Sequence, residues 1–210
     1  MHQKNNNDVG KIVRKTYDQI AEKYHQRWGE YSGFFLRNSK EFIKNIPSGG
    51  KILDLGCGTG RDSRWFSEKG FDVTGIDFSK GMLKIAKRIA PKAKFILQDI
   101  SRSKIDERFD GVWCSFVLLH LRRKDIFSIL RKIRKLLKKN GVLFVATKEG
   151  IGEKIEPEHL NKKLKIFETF FRTEELEKMV KCAGFKILKS RLDSDRQKSE
   201  EKIIIIYARK

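Results

Sequence analysis

Apolar positions along the chain fall into two alternating rhythms. One is the three-to-four-residue spacing of an amphipathic helix. The other is a short unbroken apolar run, as in strands buried on both faces. Val9, Ile12, Val13, Tyr17, Ile20, Ala21 and Tyr24 keep helical spacing and predict a helix over 9–28. A second helix, 34–46, stops at Pro47-Ser48-Gly49-Gly50. Strand 51–55 then leads into a helix from Arg61 to Lys69, closed by Gly70. Strand 71–76 leads into a helix that Ser79 caps and that ends near Ala90, before Pro91. Strand 94–98 and strand Gly111–Phe116 follow, then a helix over 124–139 with Asn140-Gly141 as its C-cap, and strand Val142–Thr147. Residues 148–172 are mixed and charged and follow neither rhythm. Thr173 opens a last helix with Glu174 and Glu175 in its first turn; Ala183-Gly184 ends it. Strand Phe185–Arg191, a polar loop over 192–201 and strand Lys202–Ala208 complete the chain.

Strands that alternate with helices predict an α/β fold with a doubly wound, mostly parallel, seven-stranded sheet. The last two strands have no helix between them, so they must close the sheet as an antiparallel hairpin. The length suits a single domain spanning 1–210.

The most informative segment is 52–60, I-L-D-L-G-C-G-T-G. A buried strand breaks there into Gly56, Gly58 and Gly60, which lets the backbone turn sharply and approach a ligand. The helix that starts near Arg61 points its first amides at the same place. Asp77 ends the second strand, where a carboxylate can accept hydrogen bonds from ribose hydroxyls. Together these features predict a bound nucleoside. The spacing G-x-G-x-G is not the G-x-G-x-x-G of a dinucleotide site, because Arg61 stands where the third glycine would be.

The D-L-G-C-G-T-G string, with Asp54 inside it, resembles the first motif of class I S-adenosylmethionine-dependent methyltransferases of the small-molecule, ubiquinone-biosynthesis-like type. The hairpin-closed sheet extends the resemblance over nearly the whole chain. It implies S-adenosyl-L-methionine as cofactor and S-adenosyl-L-homocysteine as product. Gly56, Cys57, Gly58 and Gly60 would hug the methionine part, and Asp77 would hold the ribose, with Phe78, Ser79 and Met82 beside it. Gln98-Asp99-Ile100 resembles the adenine-contacting segment, with Asp99 on the exocyclic amine and Ile100 on the ring. Ser115 and Phe116 resemble the segment that lines the transferred methyl group, whereas Cys114 reads as core packing. Tyr17 and Tyr24, in Y-D-Q-I-A-E-K-Y, resemble a lid helix. The resemblance thus makes 1–47 a pair of lid helices and 148–172 a substrate-side segment. His120, in V-L-L-H-L, is the candidate general base, with a structural role equally open. Arg37 reads better as a surface charge than as a partner of the methionine carboxylate. Lys139-Asn140-Gly141 departs from the family's usual Pro-Gly-Gly at a turn.

Charge adds one complication. There are 47 Lys and Arg against 27 Asp and Glu, a formal net charge of +20. Arg131, Lys132, Arg134, Lys135, Lys138 and Lys139 lie opposite the apolar stripe of helix 124–139 and read as its solvated face. A small-molecule acceptor is therefore the leading reading. An RNA acceptor, transfer RNA for example, stays open because of the charge. A non-catalytic cofactor- or partner-binding module on the same fold stays open too. Three scattered cysteines without C-x-x-C spacing argue against disulfides and zinc, and no metal constellation is seen. A polar N-terminus and the lack of a long apolar run predict a cytoplasmic protein with no membrane partner.

Overall fold

The structure, a computed structural model, describes residues 8–102, 105–194 and 201–210. Helices α1 (Asp8–Trp28) and α2 (Gly33–Ile43) come first. There follow β1 (Lys51–Leu55), α3 (Arg61–Glu68), β2 (Asp72–Asp77), α4 (Lys80–Ile89), β3 (Lys94–Leu97) and β4 (Phe109–Ser115). A 3-10 turn, Leu118–His120, leads to α5 (Arg123–Leu136) and β5 (Leu137–Lys148). The remainder is β6 (Gly152–Pro157), β7 (Lys165–Phe170), α6 (Thr173–Cys182), β8 (Lys186–Ser194) and β9 (Lys202–Arg209).

Seven strands form one sheet in the order β3-β2-β1-β4-β5-β9-β8. The first five are parallel; β9 inserts antiparallel between β5 and β8. This is the predicted sheet with its predicted closing hairpin. Its central strands are apolar on both faces because both faces are covered. In β9, Ile203, Ile205 and Tyr207 pack with Phe35, Phe42, Trp65 and Phe66 of α2 and α3. The alternate residues Ile204, Ile206 and Ala208 pack with Ile126, Ile129, Ile133, Leu176 and Val180 of α5 and α6. Trp113 of β4 stacks on Phe144 of β5, with ring centroids 3.8 Å apart and planes within 9°. Truncating a buried aromatic of this kind costs about 3–5 kcal/mol.

Residues 148–172, which the sequence pattern left without an assigned element, hold β6 and β7, which pair as a separate two-stranded antiparallel sheet. The E-K-I-E run of β6 hid it, because its side chains are mostly exposed and carry no apolar rhythm. β7 supplies the buried side, with Ile166 and Phe167 against Val13 of α1. Helix α5 also ends earlier than its sequence pattern suggests. Leu137 leaves the helix to pair with Phe109 of β4, and the register shifts before Gly111 meets Val142. Asn140 takes φ 63° in this irregular stretch, a region asparagine tolerates, so it bends a strand rather than capping a helix. Most of the predicted 192–201 loop lies outside the described residues; 192–194 extend β8.

Helix α1 packs on α4 and on β7, which holds it across the carboxyl ends of the parallel strands. Among the described residues no helix is long and apolar enough to cross a membrane.

Candidate functional site

A cleft of about 750 Å³ opens at the carboxyl ends of β1 to β4, under α1. In open α/β sheets this is where ligands bind. Of the residues singled out in the sequence, Tyr17, Tyr24, Asp54, Gly56, Cys57, Gly58, Asp77, Phe78, Met82, Asp99, Ile100, Ser115, Phe116 and His120 all line it. Gly60 and Ser79 do not; they act one step behind, on the backbone.

The glycine turn is left-handed at all three positions, with φ 66° at Gly56, 52° at Gly58 and 82° at Gly60. Each has its own reason to lack a side chain. A Cβ on Gly56 would stand 2.5 Å from Val117 Cγ2, and one on Gly60 would stand 2.8 Å from Ala86 Cβ. A Cβ on Gly58 would meet nothing within 4 Å, so this residue faces open cleft. Asp77 braces the turn from β2. Its Oδ2 accepts from the Gly58 amide at 2.9 Å and its Oδ1 from the Ser79 amide at 2.8 Å. Burial pushes the Asp77 carboxyl up to about 6, against the pull of those backbone donors. The Phe78 amide is a third backbone donor to the carboxylate, which still leaves it acceptor capacity. Ser79 is the α4 N-cap, its Oγ accepting from the Met82 amide at 3.1 Å.

Beneath the turn, Asp54 is buried and accepts from Ser63 Oγ at 2.6 Å. Burial, with Asp62 close by, holds its carboxyl well above the usual range. Asp62 accepts from the Trp113 indole at 2.7 Å and from Arg61 Nε at 2.6 Å. Arg61 also reaches the Trp28 carbonyl at 3.0 Å and lies over the Phe35 ring. It thus ties the end of α1 to the start of α3. The sequence pointed to Arg61 only as a missing glycine. Burial also pushes the Cys57 thiol well up and the Cys114 thiol to about 12, so both stay neutral.

His120 and Tyr17 meet across the cleft. Tyr17 Oη lies 2.7 Å from His120 Nε2, and His120 Nδ1 lies 2.9 Å from the Phe167 carbonyl of β7. A carbonyl only accepts, so Nδ1 carries the proton and Nε2 accepts from Tyr17. Burial lowers the His120 pKa to about 4 and raises that of Tyr17 well above its usual 10. The candidate base is therefore a neutral imidazole with both nitrogens engaged. Tyr17 stands edge-on to Tyr24, which in turn stands 4.8 Å from Trp28, so α1 offers the cleft a row of rings. Asp18, which the sequence reading passed over, fastens the same helix: its Oδ1 accepts from Ser79 Oγ at 2.7 Å and from the Gly81 amide at 3.0 Å. Only the fold brings Asp18 to the start of α4.

At the tip of β3, Asp99 Oδ1 accepts from the Ser101 amide at 2.8 Å and its hydroxyl at 2.7 Å, and Ile100 is buried beside it. At the tip of β4, Phe116 adopts φ 56°, with its amide held by the Ala146 carbonyl at 2.8 Å. A bulky residue in this region costs about 1–3 kcal/mol. Arg37 pairs with Asp193 at the surface, outside the cleft lining. The basic face of α5 is only partly solvated. Lys132 Nζ donates to the Ile100 carbonyl at 2.9 Å, Arg134 Nε to the Gly184 carbonyl at 2.9 Å, and Lys138, already in β5, pairs with Asp110 at 2.7 Å.

Residues 52–141 match the methyltransferase domain family. The chain is 36% identical over 118 residues to ubiquinone biosynthesis O-methyltransferase of Pelagibacter ubique, covering 54% of this chain and 47% of that one. It is 36% identical over 139 residues to demethylmenaquinone methyltransferase of Renibacterium salmoninarum, covering 64% and 57%. The chain spans about half the length of the curated relatives it matches. Among solved structures, 1,6-didemethyltoxoflavin-N1-methyltransferase of Burkholderia thailandensis, with bound 1,6-didemethyltoxoflavin and S-adenosylhomocysteine, superposes with a TM-score of 0.78. Identity is 21%, and the match covers 97% of this chain and 89% of that one. That likeness establishes the fold.

Proposed function

We propose, from the premise that this chain belongs to the class I S-adenosylmethionine-dependent methyltransferases, that it transfers the methyl group of S-adenosylmethionine to a small-molecule acceptor. The transfer is an in-line displacement that leaves S-adenosylhomocysteine. The observation that carries the reading is the pairing of Asp77 with Gly58: a buried carboxylate with acceptor capacity to spare braces a left-handed glycine whose face is open. That combination suits a ribose beside a backbone cradle. The relatives' names, both of quinone methyltransferases, support a small-molecule acceptor.

The bound cofactor would supply a methyl group already activated by its sulfonium. The protein's part is binding, alignment and exclusion of water. In this reading Gly56, Cys57, Gly58 and Asp54 flank the methionine part, Asp77 with Phe78 and Met82 holds the ribose, and Asp99 with Ile100 holds the adenine. Gly60 and Ser79 shape the turn and the start of α4. Ser115 and Phe116 border the reacting end. Tyr17 and Tyr24 close the cleft from α1, and the β6–β7 hairpin forms the substrate side, all within one domain over 1–210. His120 is read as a positioning residue for Tyr17 rather than as a general base. Free cysteines, two of them buried, support the reducing cytoplasm as its compartment.

Calorimetry with S-adenosylhomocysteine and NAD tests the cofactor. Binding of the first but not the second is the expected result, and tighter binding of NAD would end the reading. Transfer of labelled methyl to a panel of phenols and amines, run beside transfer RNA, tests the acceptor class. Labelling of transfer RNA alone would exclude a small-molecule acceptor.

A further inference from the structure

Ile151 is 73% exposed and Ile155 51%, the two highest values for large apolar side chains among the described residues. A single exposed apolar residue needs no explanation, so the surroundings of this pair decide what it means. Ile155 of β6 stands opposite Phe167 of β7, and Phe167 packs on Val13 of α1. Residues directly opposite in a strand pair share a face, so Ile155 emerges on the side that α1 covers. The Thr16 hydroxyl donates to the Lys165 carbonyl at 2.6 Å and fixes the same helix to the same strand. The first turns of α1 carry Lys11, Arg14 and Lys15, all exposed, with Val9 and Ile12 half-buried among them. Among the described residues none of these three cations has an ion-pair or side-chain hydrogen-bond partner. The nearby acids are spent elsewhere: Asp18 on Ser79 and Gly81, Glu153 on the Arg123 amide, Glu156 on Lys154. Lys11 and Arg14 also line the cleft. Unpaired positive charge and bare aliphatic side chains therefore meet at its mouth.

We infer that this face, formed by the first turns of α1 and by β6, docks on an anionic lipid surface. Water alone accounts for the cations but not for the isoleucines. A polyanion such as RNA pairs with the cations and gains nothing from aliphatic carbon. An anionic lipid interface takes both: its headgroups meet the cations, and the isoleucines enter the acyl boundary. The contact is peripheral; the lack of a spanning helix among the described residues bears on insertion, not on surface docking. Each Lys or Arg held at such a surface is worth about fivefold in partitioning, and the effect fades within a Debye length. Position therefore counts beyond the net charge of +20. Because Lys11 and Arg14 belong to both the face and the cleft lining, docking holds the mouth of the cleft against the lipid. The inference goes beyond the methyl-transfer reading and does not depend on it.

Flotation of the full chain with vesicles tests it, using phosphatidylcholine alone and phosphatidylcholine mixed with phosphatidylglycerol. The parent chain should bind only the mixed vesicles, and more weakly as salt rises. The triple variant Lys11→Gln, Arg14→Gln, Lys15→Gln should lose about twentyfold or more. Ile151→Ser with Ile155→Ser should lose about threefold or more with the charge unchanged. A control triple variant on exposed positions, Arg131→Gln, Lys135→Gln, Lys139→Gln, should lose about threefold at most. Melting curves should match the parent in both triple variants, since glutamine is nearly as good a helix former as lysine or arginine. The inference is overturned if the mixed vesicles are not bound, if the two triple variants lose equally, or if the serine variant binds as the parent does. Transfer RNA bound in place of vesicles, with affinity that the serine variant retains, would assign the cations to a polyanion instead. A dimer in light scattering that the serine variant abolishes, without vesicle binding, would assign the face to a second copy of the chain. Either result overturns the lipid reading.

Discussion

Tyr17 donates its phenolic hydrogen to His120 across 2.7 Å, although the two residues lie 103 positions apart in the chain. The bond joins α1 to the turn after β4, and the Phe167 carbonyl on the other imidazole nitrogen adds β7 to the clasp. A histidine so engaged, with a pKa lowered to about 4 by burial, is not poised to collect a proton near neutrality.

The clasp has a pH signature. The unfolded chain protonates His120 near 6.5, the folded chain only near 4. Protons therefore favour the unfolded state, and the contribution is whole above about 6.5 and falls away as the pH drops to about 4. The difference is about 3 kcal/mol. Asp77, raised to about 6, works in the opposite sense as it takes up its proton. Urea denaturation of the parent chain and of His120→Asn, at pH 7.5 and at pH 4.5, isolates the histidine: the parent should lose more stability on acidification. Parallel losses would show that His120 is not held neutral by the fold.

For Asp77, the expected effect is on the ligand. Asp77→Ala removes charge-assisted hydrogen bonds and should weaken S-adenosylhomocysteine binding by about 2–3 kcal/mol. In the parent chain affinity should decline below about pH 6, by up to about tenfold per pH unit, as the carboxyl protonates. Asp77→Asn should bind weakly at every pH. Calorimetry at pH 5 and pH 7.5 decides it; a pH-independent parent affinity would place the ribose elsewhere.

Gly58 and Gly60 should respond differently to alanine. Both have positive φ, but only at Gly60 does the added methyl meet a neighbour, Ala86 Cβ at 2.8 Å. Gly60→Ala should therefore lower stability by about 2–4 kcal/mol, whereas Gly58→Ala should cost about 1 kcal/mol. Gly58→Ala should instead weaken cofactor binding, because its methyl enters the open floor of the cleft. Melting curves and calorimetry on both variants give the comparison. Equal destabilisation with unchanged binding would remove Gly58 from the cradle.

On α5, exposed Arg131 and Lys135 should tolerate glutamine with no change in melting or methyl transfer, because glutamine is nearly as good a helix former. Lys132→Gln should lower stability by about 1 kcal/mol, since it releases the Ile100 carbonyl beside the proposed adenine subsite. Cofactor affinity should fall with it. A large loss of activity in the Arg131→Gln, Lys135→Gln double variant would mean that this face docks a polyanion.

The sequence by itself determined the sheet and the floor of the cleft. Apolar runs on β1, β4, β5 and β9 are buried on both faces whatever their neighbours are, so the local pattern sufficed. The glycine turn was legible because left-handed backbone admits few other residues, and Asp77 because it ends an unmistakable strand. Tertiary structure decided the rest. The β6–β7 hairpin is held by Ile166 and Phe167 against Val13, a contact that no local rhythm in 148–172 announces. Asp18 acquires its role only because α1 crosses the start of α4. The early end of α5 follows from the pairing of Leu137 with Phe109, which outweighs a helical pattern that continues in sequence. His120 looked like a base because histidine titrates near neutrality in water. The fold half-buries it between Tyr17 and a carbonyl, and desolvation, which depends on everything packed around the ring, changed its chemistry.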